Sequence, residues 1–306
     1  MNSSTSLDSL LTWLTSVLGP IEVLADSSKA HGDHASSTLR IHTRLGVCYL
    51  KAHQSAAHWH NEVHAYEEWA HAFGDLTPQL VAVRDTPPLA LVINELPGHI
   101  LERTWLDFSN EQGVWRAAGA ALVALHDLGS GDAFGRCWRD GTTAETVPQE
   151  AQDYIAQRFA VLMECALDAG YLNQSERSIL DAAQDLIPAF EGESPLPCHR
   201  DYCAANWLVS EDGALAGVID FEFAQWDVRV ADFSRDPNWS WIYRPDLVAA
   251  FFEGYGWSPT PTEAQQLLAA RAMYALGAIV WGHDHAFYGF EREGREALTH
   301  LASRLT

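Results

Sequence analysis

Residues 199–222 constrain this chain more than any other stretch. They read His199-Arg200-Asp201-Tyr202-Cys203-Ala204-Ala205-Asn206, then Trp207-Leu208-Val209, a turn at Glu211-Asp212-Gly213, and a run through Val218-Ile219 into Asp220-Phe221-Glu222. An H-x-D-x-x-x-x-N segment ahead of a strand ending in D-F-E is the base-and-metal half of a phosphoryl-transfer site. Asp201 and Asn206 stand at the two ends of one short loop, so a carboxylate can face a substrate hydroxyl while an amide oxygen faces a magnesium ion. Mg²⁺ takes oxygen ligands and keeps several waters, so one amide oxygen and the Asp220 carboxylate suffice on the protein side. Asp-Gly gives a tight turn its backbone freedom, and the flanking apolar runs then form a hairpin that returns Asp220 beside Asn206. Either motif alone is ordinary; the two in order, joined by a hairpin, point to one site.

A second cluster lies upstream. Residues 7–18 place Leu10, Leu11, Leu14 and Leu18 on one helical stripe, and residues 21–24 read as a strand. Residues 38–43 and 47–52 alternate about Arg44-Leu45-Gly46 as two further strands, with Lys51 near the end of the second. Residues 58–73 follow with Val63, Tyr66, Trp69 and Ala70 at helical spacing and Glu62 in the first turns. A strand lysine and a glutamate on the next helix are the other half of a kinase site: the ammonium neutralises phosphate oxygens, and the carboxylate holds the ammonium. Glu67 and Glu68 lie further along, on other faces. Residues 89–93 form another strand, which ends at Asn94-Glu95-Leu96-Pro97-Gly98. We place a hinge there, dividing residues 1–96 from 97–306, with an adenine ring expected against the backbone near Glu95 and Leu96. Beyond Trp105 the pattern is mainly helical, over 114–128, 149–169, 174–190, 247–255, 261–285 and 294–305, so the expected class is α+β.

Composition narrows the function. A hydrophobic content of 47% with 12 tryptophans supports a packed core rather than disorder. The balance of 41 acidic against 19 basic residues gives a net charge of −22, which repels nucleic acid and anionic membranes and attracts cations. Cys48, Cys137, Cys165, Cys198 and Cys203 form no C-x-x-C pair, which fits a reduced, cytoplasmic protein and disfavours zinc. The N-terminus lacks a basic signal region, and no apolar run reaches the length of a membrane span. The oligomeric state leaves no mark in the sequence.

Lys51, Glu62, Leu96-Pro97-Gly98, Ala124-Leu125-His126, the 199–206 loop and Ile219-Asp220-Phe221-Glu222 occur in an order that resembles the aminoglycoside phosphotransferase and choline kinase superfamily. The resemblance covers nearly the whole chain. It implies a protein-kinase-like bilobal fold, with an antiparallel sheet and helix in the N-terminal lobe and a larger, mostly helical C-terminal lobe. It also implies ATP or GTP as donor, Mg²⁺, and transfer to a small-molecule hydroxyl. Asp201 is then the expected base, Asn206 and Asp220 the metal ligands, Lys51 the phosphate anchor, Glu62 its partner, and His199 a loop brace.

Two departures stand out. Arg200 occupies a place where the aminoglycoside enzymes commonly carry glycine. Arginine there is similar to protein kinases, but Asp232 follows Asp220 too closely for an activation segment and no Ala-Pro-Glu follows, so a protein kinase is not expected. No G-x-G-x-x-G precedes Lys51; Ser27 and Ser28 are candidate phosphate donors, or plain turn residues. Glu222 falls on the same side of an extended strand as Asp220. It is either a second metal ligand or a hydrogen-bond partner of the loop.

Three functions compete. The first is a kinase for a cationic, aminoglycoside-type antibiotic, with Asp284, Glu291 and Glu293 pairing its ammonium groups. The second is a choline-like, amino-alcohol or sugar kinase, with Trp226, Trp239, Trp241, Tyr243, Trp257 and Trp281 available for an aromatic cage. A nucleotide-binding protein without catalysis is the third, disfavoured because every residue that transfer needs is present.

Overall fold

Leu10, Leu14 and Leu18 lie buried along one side of the first helix, α1 (Ser3–Leu18), against a five-stranded antiparallel sheet. The computed structural model describes residues 3–27, 36–144, 146–235 and 240–305, with side chains over 7–27, 37–144, 146–235 and 242–305. The sheet begins with β1 (Glu22–Asp26), β2 (Ser36–Thr43) and β3 (Gly46–His53). After α2 (Ala56–His64) it is completed by β4 (Leu80–Arg84) and β5 (Ala90–Asn94), in the spatial order β1-β2-β3-β5-β4. Successive strand residues face opposite sides. Leu50 therefore joins Ile41 and Val92 beneath α1, while Leu91 and Ile93 face Trp59 and Val63 of α2. Lys51, next to Leu50, falls on the α2 side.

Two local expectations change. β4 escapes a sequence reading because residues 80–84 are all half-buried and show no alternation. The helix expected over 58–73 starts at Ala56, where Ser55 accepts from the His58 N–H, and leaves α geometry after His64. Ala65–Trp69 is a π-helical turn and Ala70–Leu76 is 3₁₀. Such turns re-aim side chains within a helix; here Tyr66 is directed onto Phe221, with ring centroids 5.2 Å apart.

The chain leaves the sheet through Gly98, whose φ is +124° and where a Cβ would meet the Val209 carbonyl oxygen at 2.7 Å. Only glycine tolerates both conditions. β6 (His99–Ile100) follows, then the helices α3 (Phe108–His126), α4 (Ala151–Asp168) and α5 (Gln174–Gln184). β7 (Leu196–Cys198), β8 (Trp207–Val209), β9 (Leu215–Val218) and β10 (Gln225–Asp227) come next. β6, β8 and β9 pair as one small sheet, which includes the predicted hairpin; β7 pairs with β10. The helices α6 (Ser240–Tyr243), α7 (Pro245–Tyr255), α8 (Pro261–Asp284) and α9 (Tyr288–Leu305) close the fold. Trp207, Tyr202, Phe221, Phe233 and Phe251 are fully buried at the centre of this mainly helical lobe. Each such aromatic contributes roughly 1.5–3 kcal/mol by leaving water. Among the described residues no helix is long and apolar enough to cross a membrane.

Candidate active site

Lys51 Nζ donates to Glu62 Oε1 at 2.6 Å and to Asp220 Oδ1 at 2.8 Å, so one ammonium joins sheet, helix and D-F-E segment. Burial opposes the lysine charge, but Asp220, Glu62 and Glu222 together outweigh it and hold the pKa well above the ordinary value. Burial likewise opposes ionisation of Glu62, and Lys51 and His53 overcome it, leaving the carboxyl below its usual range. His53 Nε2 lies 2.8 Å from Glu62 Oε2, although neither atom is aligned for a hydrogen bond.

The loop carrying Asp201 is fixed from behind. Asp232 accepts the backbone N–H groups of His199 at 2.9 Å and Arg200 at 2.5 Å, and His126 Nε2 reaches it at 3.1 Å. Arg200 has φ +68°, which is costly for a residue with a side chain, and these bonds over-determine the conformation. The Asp201 N–H donates to His199 Nδ1 at 3.3 Å, so the imidazole proton lies on Nε2, which donates to the Ile219 carbonyl at 3.1 Å. His199 is a brace between the loop and the D-F-E segment, which lies just beyond β9.

Asn206 Nδ2 donates both to the Asp201 carbonyl at 2.9 Å and to Asp201 Oδ2 at 2.8 Å. With the amide nitrogen turned to the loop, the amide oxygen is the side that can face a cation. The Ile219 N–H donates to the Asn206 carbonyl at 3.0 Å, which sets Asp220 beside the loop. Asp220 itself has φ +72°, and Phe221 anchors it in the core against Tyr66, Phe73 and His199. Asn206 and Asp220 offer the oxygen atoms that could hold Mg²⁺; Glu222 lies in a turn rather than on the extended strand expected for it.

Arg200 has an internal partner in place of an activation segment. Its guanidinium donates to Asp227 Oδ2 at 2.5 Å, which also accepts from Arg158 at 2.7 Å and Gln225 at 2.8 Å. Arg235 was not singled out by any motif, yet it pairs with Asp201 Oδ1. No sequence motif marked Asp232 as the brace; it lies buried between Ala231 and Phe233.

The other expected site residues have these surroundings. Ser27 is exposed, and its N–H donates to the Thr38 carbonyl at 2.8 Å as a continuation of the β1–β2 ladder. Ser28 and Trp239 lie outside the described residues, as does the side chain of Trp241. The Glu95 carboxylate is held by Arg40 at 2.7 Å and Tyr49 at 3.0 Å, and the Glu95 N–H donates to the Val47 carbonyl. Leu96 packs on Gly217, where a Cβ would come within 2.7 Å of it.

Asp284 accepts from the Tyr171 hydroxyl at 2.7 Å, and Glu291 pairs with Arg295, which also holds Glu176. That network ties α9 to α5. Glu293 instead shares the neighbour Tyr274 with Asp201. The aromatic cage is not assembled among the described side chains. Trp226 meets Trp69, Trp257 meets Phe233 and Phe252, Trp281 stacks on His285, and Tyr243 meets His300.

Residues 29–267 match the phosphotransferase enzyme family. The chain belongs to this family. It is a small-molecule phosphotransferase. The phosphotransferase is similar to a thermostable mutant of aminoglycoside phosphotransferase APH(4)-Ia, solved with AMP-PNP and hygromycin B. The two share 14% identity at a TM-score of 0.75, over 96% of this chain and 98% of that one. It is also similar to APH(2")-IIIa with GDP and kanamycin, at 15% identity and a TM-score of 0.69, over 97% and 99% of the two chains. These likenesses show the fold, which is the protein-kinase-like bilobal one. No curated protein matches the phosphotransferase by sequence.

Proposed function

We propose that the phosphotransferase moves the terminal phosphoryl group of ATP or GTP to a hydroxyl of a small cationic acceptor of aminoglycoside type. One observation carries the reading: Lys51 touches Glu62 and Asp220, and the residue before Asp220 bonds to Asn206, whose side chain holds Asp201. Anchor, metal ligands and base thus form one run of contacts. Lys51 neutralises nucleotide phosphate oxygens, and Glu62 orients it. Asn206 and Asp220 would hold Mg²⁺, which would offset the charge of the nucleotide phosphates. Asp201 orients the acceptor hydroxyl and takes its proton as the new O–P bond forms and the nucleoside diphosphate departs.

The lobe boundary is proposed at residues 96–97. The Glu95 N–H is spent on Val47, so a purine edge docked there would use the Glu95 carbonyl and Leu96. The complexes of similar proteins with AMP-PNP and hygromycin B, and with GDP and kanamycin, support the donor and acceptor classes, as does the net charge of −22. A second reading is an amino-alcohol or sugar kinase; within it Arg235 favours a neutral sugar, because a guanidinium rather than a carboxylate adjoins the base. Mg²⁺-dependent consumption of ATP and GTP across aminoglycosides, amino alcohols and sugars, with the product located by NMR, separates the two. Turnover of neutral sugars alone would remove the aminoglycoside reading.

A further inference from the structure

His53, Glu62 and Glu222 each bring a donor atom within 4.8 Å of the others. The side chains of His53 and Glu62 are 0% exposed, while Glu222 is half-buried and marks the open side. Both ring nitrogens of His53 and Oε2 of Glu62 lack a hydrogen-bond partner, as does Nδ1 of His58, which feels the charge on Glu62. Interiors leave few polar atoms unpaired, and several around one point indicate a missing species.

The donor types point to its class. His53 Nε2 and Glu62 Oε2 are 2.8 Å apart but not aligned to bond one another. Two donors at about 2.1 Å from one tetrahedral metal stand about 3.4 Å apart, so the pair has to open by roughly half an ångström to seat an ion. Charge agrees: among the described residues Lys51 is the one ammonium touching Glu62 and Asp220, and Glu222 adds a third carboxylate to its surroundings. An imidazole with two carboxylates suits a transition-series ion rather than Mg²⁺.

We propose that His53 Nε2, Glu62 Oε2 and a Glu222 oxygen form a site for a divalent transition-series cation such as Zn²⁺, separate from Asn206 and Asp220. Glu62 then has two duties: Oε1 holds Lys51, and Oε2 binds the ion. The ion pins α2 to the end of β3 and to the D-F-E segment. The site stands independently of the phosphoryl-transfer reading.

The test uses the full chain without nucleotide, in excess Mg²⁺, with Zn²⁺ as the probe for equilibrium dialysis and thermal unfolding. Co²⁺ absorption reports nitrogen ligation. One equivalent of Zn²⁺ should be retained, with a higher Tm and a visible Co²⁺ band. His53→Asn and Glu222→Gln should each weaken binding by roughly tenfold or more, while His71→Asn, at an exposed histidine, should leave it unchanged. If His53→Asn does not fold, Glu222→Gln at its half-buried position carries the comparison. The proposal is overturned if wild type retains no Zn²⁺, or if the folded site variants bind as tightly as wild type. It also falls if His71→Asn abolishes binding, which would locate the ion on the surface.

Discussion

Arg235 sets its guanidinium on Oδ1 of Asp201, so the proposed base is held from two sides, with Asn206 on Oδ2. The Asp201 side chain is 6% exposed and that of Arg235 is 26% exposed. Arg235→Ala removes one partner of a largely desolvated pair, which at full burial costs about 3–5 kcal/mol and here about 1–3 kcal/mol. Turnover should fall more than nucleotide affinity, and Arg235→Lys should recover part of the loss. Steady-state kinetics beside thermal unfolding checks this; unchanged kcat in a folded Arg235→Ala would detach Arg235 from the reaction.

Asp201→Asn keeps the shape of the loop but removes the proton acceptor. A positioned base contributes about 10²–10⁴ in rate, so kcat should drop by that order while Mg–nucleotide binding by calorimetry stays within a few-fold. Undiminished turnover would sink the assignment.

Lys51→Ala leaves Glu62 and Asp220 facing one another without their shared ammonium. A stability loss of about 3–5 kcal/mol is expected, together with weakened nucleotide binding. Glu62→Gln should be milder, since Asp220 still holds Lys51. A more damaging Glu68→Gln would show that the wrong glutamate supports the lysine.

Asp227 supplies a pH-dependent prediction. Burial opposes its ionisation, but Arg200 and Arg158 prevail and keep its pKa below the ordinary 3.8. Because the folded value lies below the unfolded one, its stabilisation is complete above about pH 4 and is lost as pH falls through the folded value. Asp227→Asn should therefore lower Tm at neutral pH and flatten the decline of Tm in acid. Equal acid slopes in wild type and variant would place the proton uptake elsewhere.

The acceptor should respond to salt. Carboxylates at the mouth of a cleft concentrate a polycation, and salt screens them. Acceptor KM should rise with ionic strength, and nucleotide KM, set by Lys51 and magnesium, should change less. A salt-independent acceptor KM would favour the amino-alcohol or sugar reading.

What could be read from sequence was local. The hairpin after Asn206 was legible because Asp212-Gly213 breaks two apolar runs, and Lys51 with Glu62 because strand alternation passes directly into helical spacing. β4 was hidden by uniform half-burial, and the π turn at Ala65–Trp69 because its apolar residues still satisfy helical spacing. Arg235 meets Asp201 across 34 residues and Asp227 gathers Arg158 and Arg200. Such pairs depend on how the elements dock, and no short motif records that.

The Asp232 brace also ties the base loop to the D-F-E segment. His199 and Arg200 hang by their amides from Asp232, and Ile219 is tied to Asn206, so base loop and D-F-E segment travel as one body with the helices. Lys51 lies on β3 and Glu62 on α2, whose continuation packs Tyr66 and Phe73 on Phe221. The 2.8 Å contact of Lys51 with Asp220 and these ring contacts therefore meet at one segment, so the phosphate anchor keeps its register on the base loop through an ion pair and an aromatic wedge together.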